Sequence, residues 1–134
     1  FGITSFEMAF GEYGKPYLPE YPHVHFNMSH CDVGCAVVAA DCPVGVDIQD
    51  VRPVLREVAC RICSAHELEE FDLSQDKDCF FTKIWVAKES HGKMTGTGMQ
   101  YELRNDCLGE SNIYLYMGER KDYFIGICLQ NIFN

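Results

Sequence analysis

The stretch FFTKIWVAKESHGKMTGTG, residues 80–98, restricts this chain more than any other, because a strong amphipathic helix pattern stops there abruptly at glycine. Phe81, Trp85, Glu89 and Lys93 recur at i, i+4 steps, so on a helix they form one stripe that begins aromatic and ends ionic. Such a stripe implies a buried stem with a polar tip. Lys88 stands one residue before Glu89, about 100° round the helix, and can approach the same anion from the side. Gly96 and Gly98 then end the helix and let backbone come close to another group.

A second polar cluster lies upstream. Residues 44–50, VGVDIQD, alternate with Val46 and Ile48 on one face and Asp47 and Gln49 on the other, predicting a strand with a core face and an exposed polar face. Before it, residues 25–29 and 34–40 are short apolar runs separated by His30, Asp32 and Gly34, the pattern of an antiparallel hairpin that turns at Ser29 and His30. Residues 1–8 alternate loosely as a strand would, whereas 11–22 carry Gly and Pro at the density of a loop. Pro53 opens a helix expected over 53–63, with Leu55, Val58, Ala59 and Ile62 as its apolar face. Ser64 and Glu67 form a capping-box pair that starts a second helix through residue 70, and Asp76 or Asp78 caps the long third one. Strands return at 101–103, 113–117 and 123–130, with a turn at 119–122. This order predicts a single α+β domain over residues 1–134, with a mostly antiparallel sheet and a long helix and shorter helices packed on it.

With 47% apolar residues the chain is expected to be globular, and its formal net charge of −9 argues against nonspecific nucleic-acid binding. An anionic ligand must then be held by a local group of cations, for which the candidates are Lys15, His30, Lys88 and Lys93. No apolar run approaches the roughly 20 residues needed to span a bilayer, and the N-terminus has no signal-peptide pattern, so a cytoplasmic chain without a membrane partner is expected. Residue 1 is Phe rather than Met, which points to a processed chain or part of a longer one. The eight cysteines are expected to be reduced thiols; Cys60 and Cys63 form a CxxC with no second pair to complete a zinc site. A thiol-rich metal or redox protein is thus a weaker reading, one that zinc analysis and thiol titration decide.

Mg²⁺ takes oxygen ligands, usually one or two carboxylates completed by water and substrate phosphate. Asp47 and Glu89 supply them if the long helix lies across the strand, and Gln49 adds an amide oxygen or holds a metal-bound water. Lys88, Lys93 and the following glycines suit a phosphate, and Ser29 with His30 offers a weaker grip on one. A Glu beside a metal and a lysine can also serve as general base. The chemistry these residues suggest is metal-assisted transfer involving a phosphate ester or pyrophosphate.

Four motifs carry a family resemblance. GKPYLP at 14–19, HFNMSH at 25–30, PVGVDIQ at 43–49 and WVAKESHGKMTGTG at 85–98 resemble, in order, the GKP, HFNxSH, GVDIE and WxxKEsxxKxxGxG motifs of the surfactin-type 4′-phosphopantetheinyl transferases. The resemblance implies transfer of the phosphopantetheine arm of coenzyme A to a serine of an apo acyl or peptidyl carrier protein, with release of 3′,5′-adenosine bisphosphate. It also implies Mg²⁺, with Mn²⁺ as the alternative, held by Asp47 and Glu89. Glu89 would deprotonate the carrier serine directly or through water, Lys93 would contact the pyrophosphate, and Lys88 would position Glu89 or the phosphates. Ser29 and His30 would bind the 3′-phosphate and Lys15 would line the nucleotide. Two departures stand out. Gln49 replaces the usual Glu and removes a negative charge from the metal site. Members of this branch are also pseudo-dimers, of which residues 1–43 resemble the end of the first half and 44–134 the second. The shortfall implies a missing N-terminal half, self-association to rebuild the cleft, or a degenerate remnant. Carrier docking would need a local basic or apolar surface near the helices, to which Arg52, Arg56 and Arg61 could contribute. The alternative reading is a noncatalytic module that binds coenzyme A or a carrier protein.

Overall fold

Strand β5 (Val44–Asp50) is the spine against which the other elements are laid. In the computed structural model, residues 1–98, 105–107, 112–118 and 122–130 are described. β5 pairs antiparallel with β7 (Tyr123–Leu129), which pairs with β6 (Ile113–Met117), giving a three-stranded sheet of order β5–β7–β6. β3 (His25–Cys31) and β4 (Gly34–Ala40) form the expected antiparallel hairpin. The expected strand at 101–103 and most of the turn at 119–122 lie outside the described residues.

The N-terminal part differs from expectation. Residues 1–8 form no strand, because alternation without a neighbouring edge gives no ladder; Phe1 and Phe6 are exposed. Instead β1 (Ala9–Phe10), just before the stretch expected to be loop, pairs with β2 (Pro16–Tyr17) inside it. The β3–β4 hairpin also turns later than expected, so Ser29 lies within β3. A side chain joins this hairpin to β5: Val46 N donates to Asn27 Oδ1 at 3.0 Å.

Helix α1 (Arg56–Ile62) starts later than Pro53 suggests, since Val54 N donates to Asp78 Oδ1 at 3.0 Å and Leu55 takes the N-cap. Leu55 and Val58 are consequently exposed, while Ala59 and Ile62 face the core. Helix α2 (Ala65–Leu73) has both halves of the capping box between Ser64 and Glu67. Helix α3 (Lys77–Thr95) is capped by Asp76, which accepts from Cys79 N, and ends at Gly96 in the left-handed region, φ 78°. Ala59, Cys63, Phe71 and Ile84 make the core cluster among the three helices.

Glycine sets the approach of α3 to the sheet. A Cβ on Gly45 would lie 2.0 Å from Ser90 O and 2.4 Å from Met94 N, and one on Gly126 would lie 2.5 Å from Val86 O. Helix backbone therefore rests on strand backbone. The expected exposed face of β5 is buried by this contact, and Asp47 is only 5% exposed. Gly45→Ala must push α3 away, and a loss of about 1–3 kcal/mol or more is expected in urea denaturation. Among the described residues no helix is long and apolar enough to cross a membrane.

Candidate active site

Three elements converge on the Asp47 carboxylate. β5 turns it towards α3, one β-alternation beyond Gly45 and directly across from Gly126. Lys93, in the last turn of α3, donates to Asp47 Oδ1 at 2.6 Å. Ser29 on β3 donates to the same oxygen at 2.8 Å and accepts from Lys93 Nζ at 3.0 Å. Asp47 Oδ2 is buried and has no hydrogen-bond partner among the described residues. An orphaned carboxylate oxygen in a buried site is costly unless something else binds it.

Glu89 lies on the same side of α3, one helical turn before Lys93. Burial chiefly, and the nearby Asp47 charge next, push its carboxyl above the ordinary glutamate value, with Lys93 opposing them. Two neighbouring carboxylates, one with a free oxygen, make a hard-oxygen donor set suited to a divalent cation. Protons compete for that set, so cation affinity is expected to fall as the pH drops through the raised Glu89 value. Mn²⁺ titration across pH 5–8 by electron paramagnetic resonance checks this, and Glu89→Gln should flatten the profile.

Gln49 follows Asp47 on the same β5 face, but its Nε2 donates to Asp50 Oδ1 at 3.0 Å. Asp50 is held in turn by Arg52, which also donates to Asp32 at 2.6 Å. This chain fixes the amide nitrogen towards Asp50, because a carboxylate only accepts.

Lys88 is not at the acid pair, contrary to its assigned catalytic place. It is fully buried on the far side of α3, where its Nζ pairs with Glu67 Oε2 at 2.8 Å and donates to Asn105 O at 2.9 Å. One residue of helix rotation, which on sequence grounds allowed a sideways approach to the site, carries Lys88 to α2 instead. His30 is likewise one alternation past Ser29, exposed and turned away from Asp47. Lys15 reaches α3, but its ammonium donates to Met94 O at 2.7 Å and Val44 O at 3.3 Å, and burial lowers its pKa from the ordinary lysine value. It thereby ties the GKP loop to the helix end.

A cavity of about 470 Å³ opens beside Lys93, walled by Gly14, Lys15, Asn27, Gly96 and Gly98. A second, of about 410 Å³, lies along the aromatic end of the α3 stripe, lined by Phe81, Trp85, Leu55, Val58 and Gln49 among others. Glu89 sits between these two stretches of the helix. Of the basic candidates for docking, Arg52 is paired with Asp32 and Asp50, and Arg56 binds Asp72 with both arms of its guanidinium. In the CxxC, Cys60 is exposed and Cys63 is buried, its thiol pushed up to about 11 chiefly by burial.

The sequence gives no direct sign of Asn27 as the link to β5, of Gly126 as the seat of α3, or of the pairing of Glu67 with Lys88. Gly45 between two valines was the available signal for close helix approach.

The family model described as the 4′-phosphopantetheinyl transferase superfamily matches residues 43–124, which include Asp47, Gln49, Glu89 and Lys93. The chain belongs to this superfamily. It is 37% identical over 95 residues to 4′-phosphopantetheinyl transferase Sfp of Bacillus subtilis (strain 168), covering 69% of this chain and 42% of that one. Against 4′-phosphopantetheinyl transferase gsp of Aneurinibacillus migulanus the identity is 32% over 116 residues, covering 83% of this chain and 48% of the relative. The chain thus spans less than half the length of these curated relatives. A crystal structure of holo-[acyl-carrier-protein] synthase (AcpS) from Neisseria meningitidis overlaps with a TM-score of 0.49 at 22% identity, covering 63% of this chain and 94% of that one. The matched segment contains both Asp47 and Glu89, whereas Ser29 lies outside it.

Proposed function

We propose that this chain carries the catalytic half-site of a 4′-phosphopantetheinyl transferase, which moves the phosphopantetheine arm of coenzyme A to a serine of an apo acyl or peptidyl carrier protein. The observation that carries this reading is the buried Asp47 oxygen without a partner, beside a Glu89 kept less acidic than usual and a Lys93 within reach of both. Asp47 and Glu89 would hold Mg²⁺ or Mn²⁺, with the Gln49 position adding at most a neutral ligand or an ordered water. Bound there, the cation would neutralise the pyrophosphate of coenzyme A.

Glu89 takes the proton of the carrier serine, directly or through a water. The serine oxygen forms a bond to the phosphorus that bears the pantetheine arm. The bond from that phosphorus to the bridging oxygen breaks, and the electron pair leaves with 3′,5′-adenosine bisphosphate. Lys93 steadies the charge gathered on that leaving group, and Ser29 holds Lys93 and Asp47 in one triangle. The glycine-walled cavity beside Lys93 suits the nucleotide end, with Lys15 shaping its wall through backbone contacts and not through a free ammonium. The apolar cleft along Phe81 and Trp85 suits the carrier protein, since two of the expected arginines already face acids of this chain.

The test is intact-mass analysis of an apo carrier protein incubated with the chain, coenzyme A and Mg²⁺. Gain of one phosphopantetheine on the carrier is the expected result. A carrier whose mass does not change with this chain or with any longer natural form of it would end the reading.

A further inference from the structure

The contact that seats α3 on the sheet is close: at Gly45 of β5 and Gly126 of β7 helix backbone meets strand backbone. That contact sets the distance from helix to sheet, while the rotation of the helix about its own axis is left to side-chain pairs, Lys93 with Asp47 beside the sheet and Lys88 with Glu67 behind it. Rotation matters at this site. A turn of about 20° carries a side-chain tip at the helix rim, about 5–6 Å from the axis, through about 2 Å. Metal–ligand distances tolerate only a few tenths of an ångström.

On the opposite side of α3, at the level of Glu89, sits the buried pair Lys88–Glu67. Lys88 is 0% exposed and Glu67 1%, and their charged atoms are 2.8 Å apart. Glu67 is itself held twice by backbone: Ser64 N donates to Oε2 and Cys107 N to Oε1, both at 2.9 Å. Lys88 also donates to Asn105 O. One ion pair thus joins the start of α2, the segment at 105–107 and α3. Pairs buried so fully add little stability relative to well-packed apolar residues, and their best-attested role is to select one registry.

We propose that Glu67 and Lys88 are positioning residues that set the rotation of α3 and thereby hold Glu89 beside Asp47. Neither touches substrate; both act through Glu89. The inference rests on the proposed role of Glu89 in cation binding.

The test is a double-mutant cycle read by Mn²⁺ affinity on the whole chain. Glu67→Gln combined with Lys88→Met removes both charges and keeps the volume. It is expected to melt cooperatively and to bind Mn²⁺ about 10–100-fold more weakly, the usual effect of removing the support behind a metal ligand. In a Glu89→Gln background the same pair of changes should cost no further affinity. Carrier modification should show the matching split, with lowered kcat and an unchanged KM for coenzyme A. If the neutral pair does not fold, Lys88→Arg keeps the charge but lengthens the strut, and the same cycle is read on it. Unchanged Mn²⁺ affinity in a folded variant, or an equal loss with and without Glu89, overturns the inference and leaves the transferase reading intact. A coupled loss of Mn²⁺ affinity in a chain that modifies no carrier does the reverse. A wild-type chain that binds no Mn²⁺ overturns the inference outright.

Discussion

Glu89→Gln is expected to slow carrier modification by about 10²–10⁴-fold, the range associated with removing a general base, while leaving the chain at least as stable as wild type. Both halves follow from the same surroundings. Burial and the Asp47 charge raise the Glu89 carboxyl above its ordinary value, so the folded chain binds a proton there more readily than the unfolded chain does. Ionised Glu89 therefore opposes folding near neutral pH, and that penalty is relieved as the pH falls through the raised value. The amide carries no charge and is free of the penalty at every pH. Time courses of intact carrier mass and thermal melts of the two proteins, taken together, give the result. A slow and less stable variant would mean that Glu89 supports the fold, and a fast one would remove it from the chemistry.

Lys88→Met alone should cost about 3–5 kcal/mol of stability. The substitution leaves Glu67 enclosed with two backbone donors but without its counter-charge. Apolar packing by methionine offsets little of this, because the cost lies in the carboxylate left behind. Urea denaturation measures it, and adding Glu67→Gln should recover a good part of the loss. Lys93 is placed differently: its own side chain is 29% exposed and reaches from the surface to an Asp47 side chain that is only 7% exposed. The two lysines lie five residues apart on one helix, yet one pairs with an acid of the sheet and the other with an acid of α2.

That division was only half legible in the sequence. The i, i+4 stripe placed Glu89 and Lys93 on one side of α3, and period-two alternation placed Asp47 on the same face as Gln49; both patterns are local and survive folding. The capping box of Ser64 and Glu67 was legible too, since it involves residues three apart. The partner of Lys88 was not, because Glu67 lies 21 positions away and an acid that caps one helix gives no sign that it also neutralises another. His30 illustrates the converse limit. Adjacent residues in a motif suggest joint action, but on a strand they point to opposite faces, so Ser29 joins Asp47 and His30 does not. Asp47 was read as exposed because alternation marks a polar face without saying what covers it; the cover here is a helix admitted by Gly45 and Gly126. Residues 1–8 failed as a strand for a similar reason, lacking the neighbouring edge that alternation alone cannot reveal.

The glycine seat also bears on how this sequence can drift. Where side chains separate a helix from a sheet, each change of volume shifts the helix a little, and a site built across the gap drifts with its core. Between α3 and the sheet, helix backbone meets strand backbone at Gly45 of β5 and Gly126 of β7. Substitutions among Ile84, Phe71 and Ala59 can remodel the rear of the helix while the spacing between strand and helix at the acids stays put. Variation is thereby confined to one side of α3, and the distance across which the acids face each other is held by two positions that carry no side chain at all.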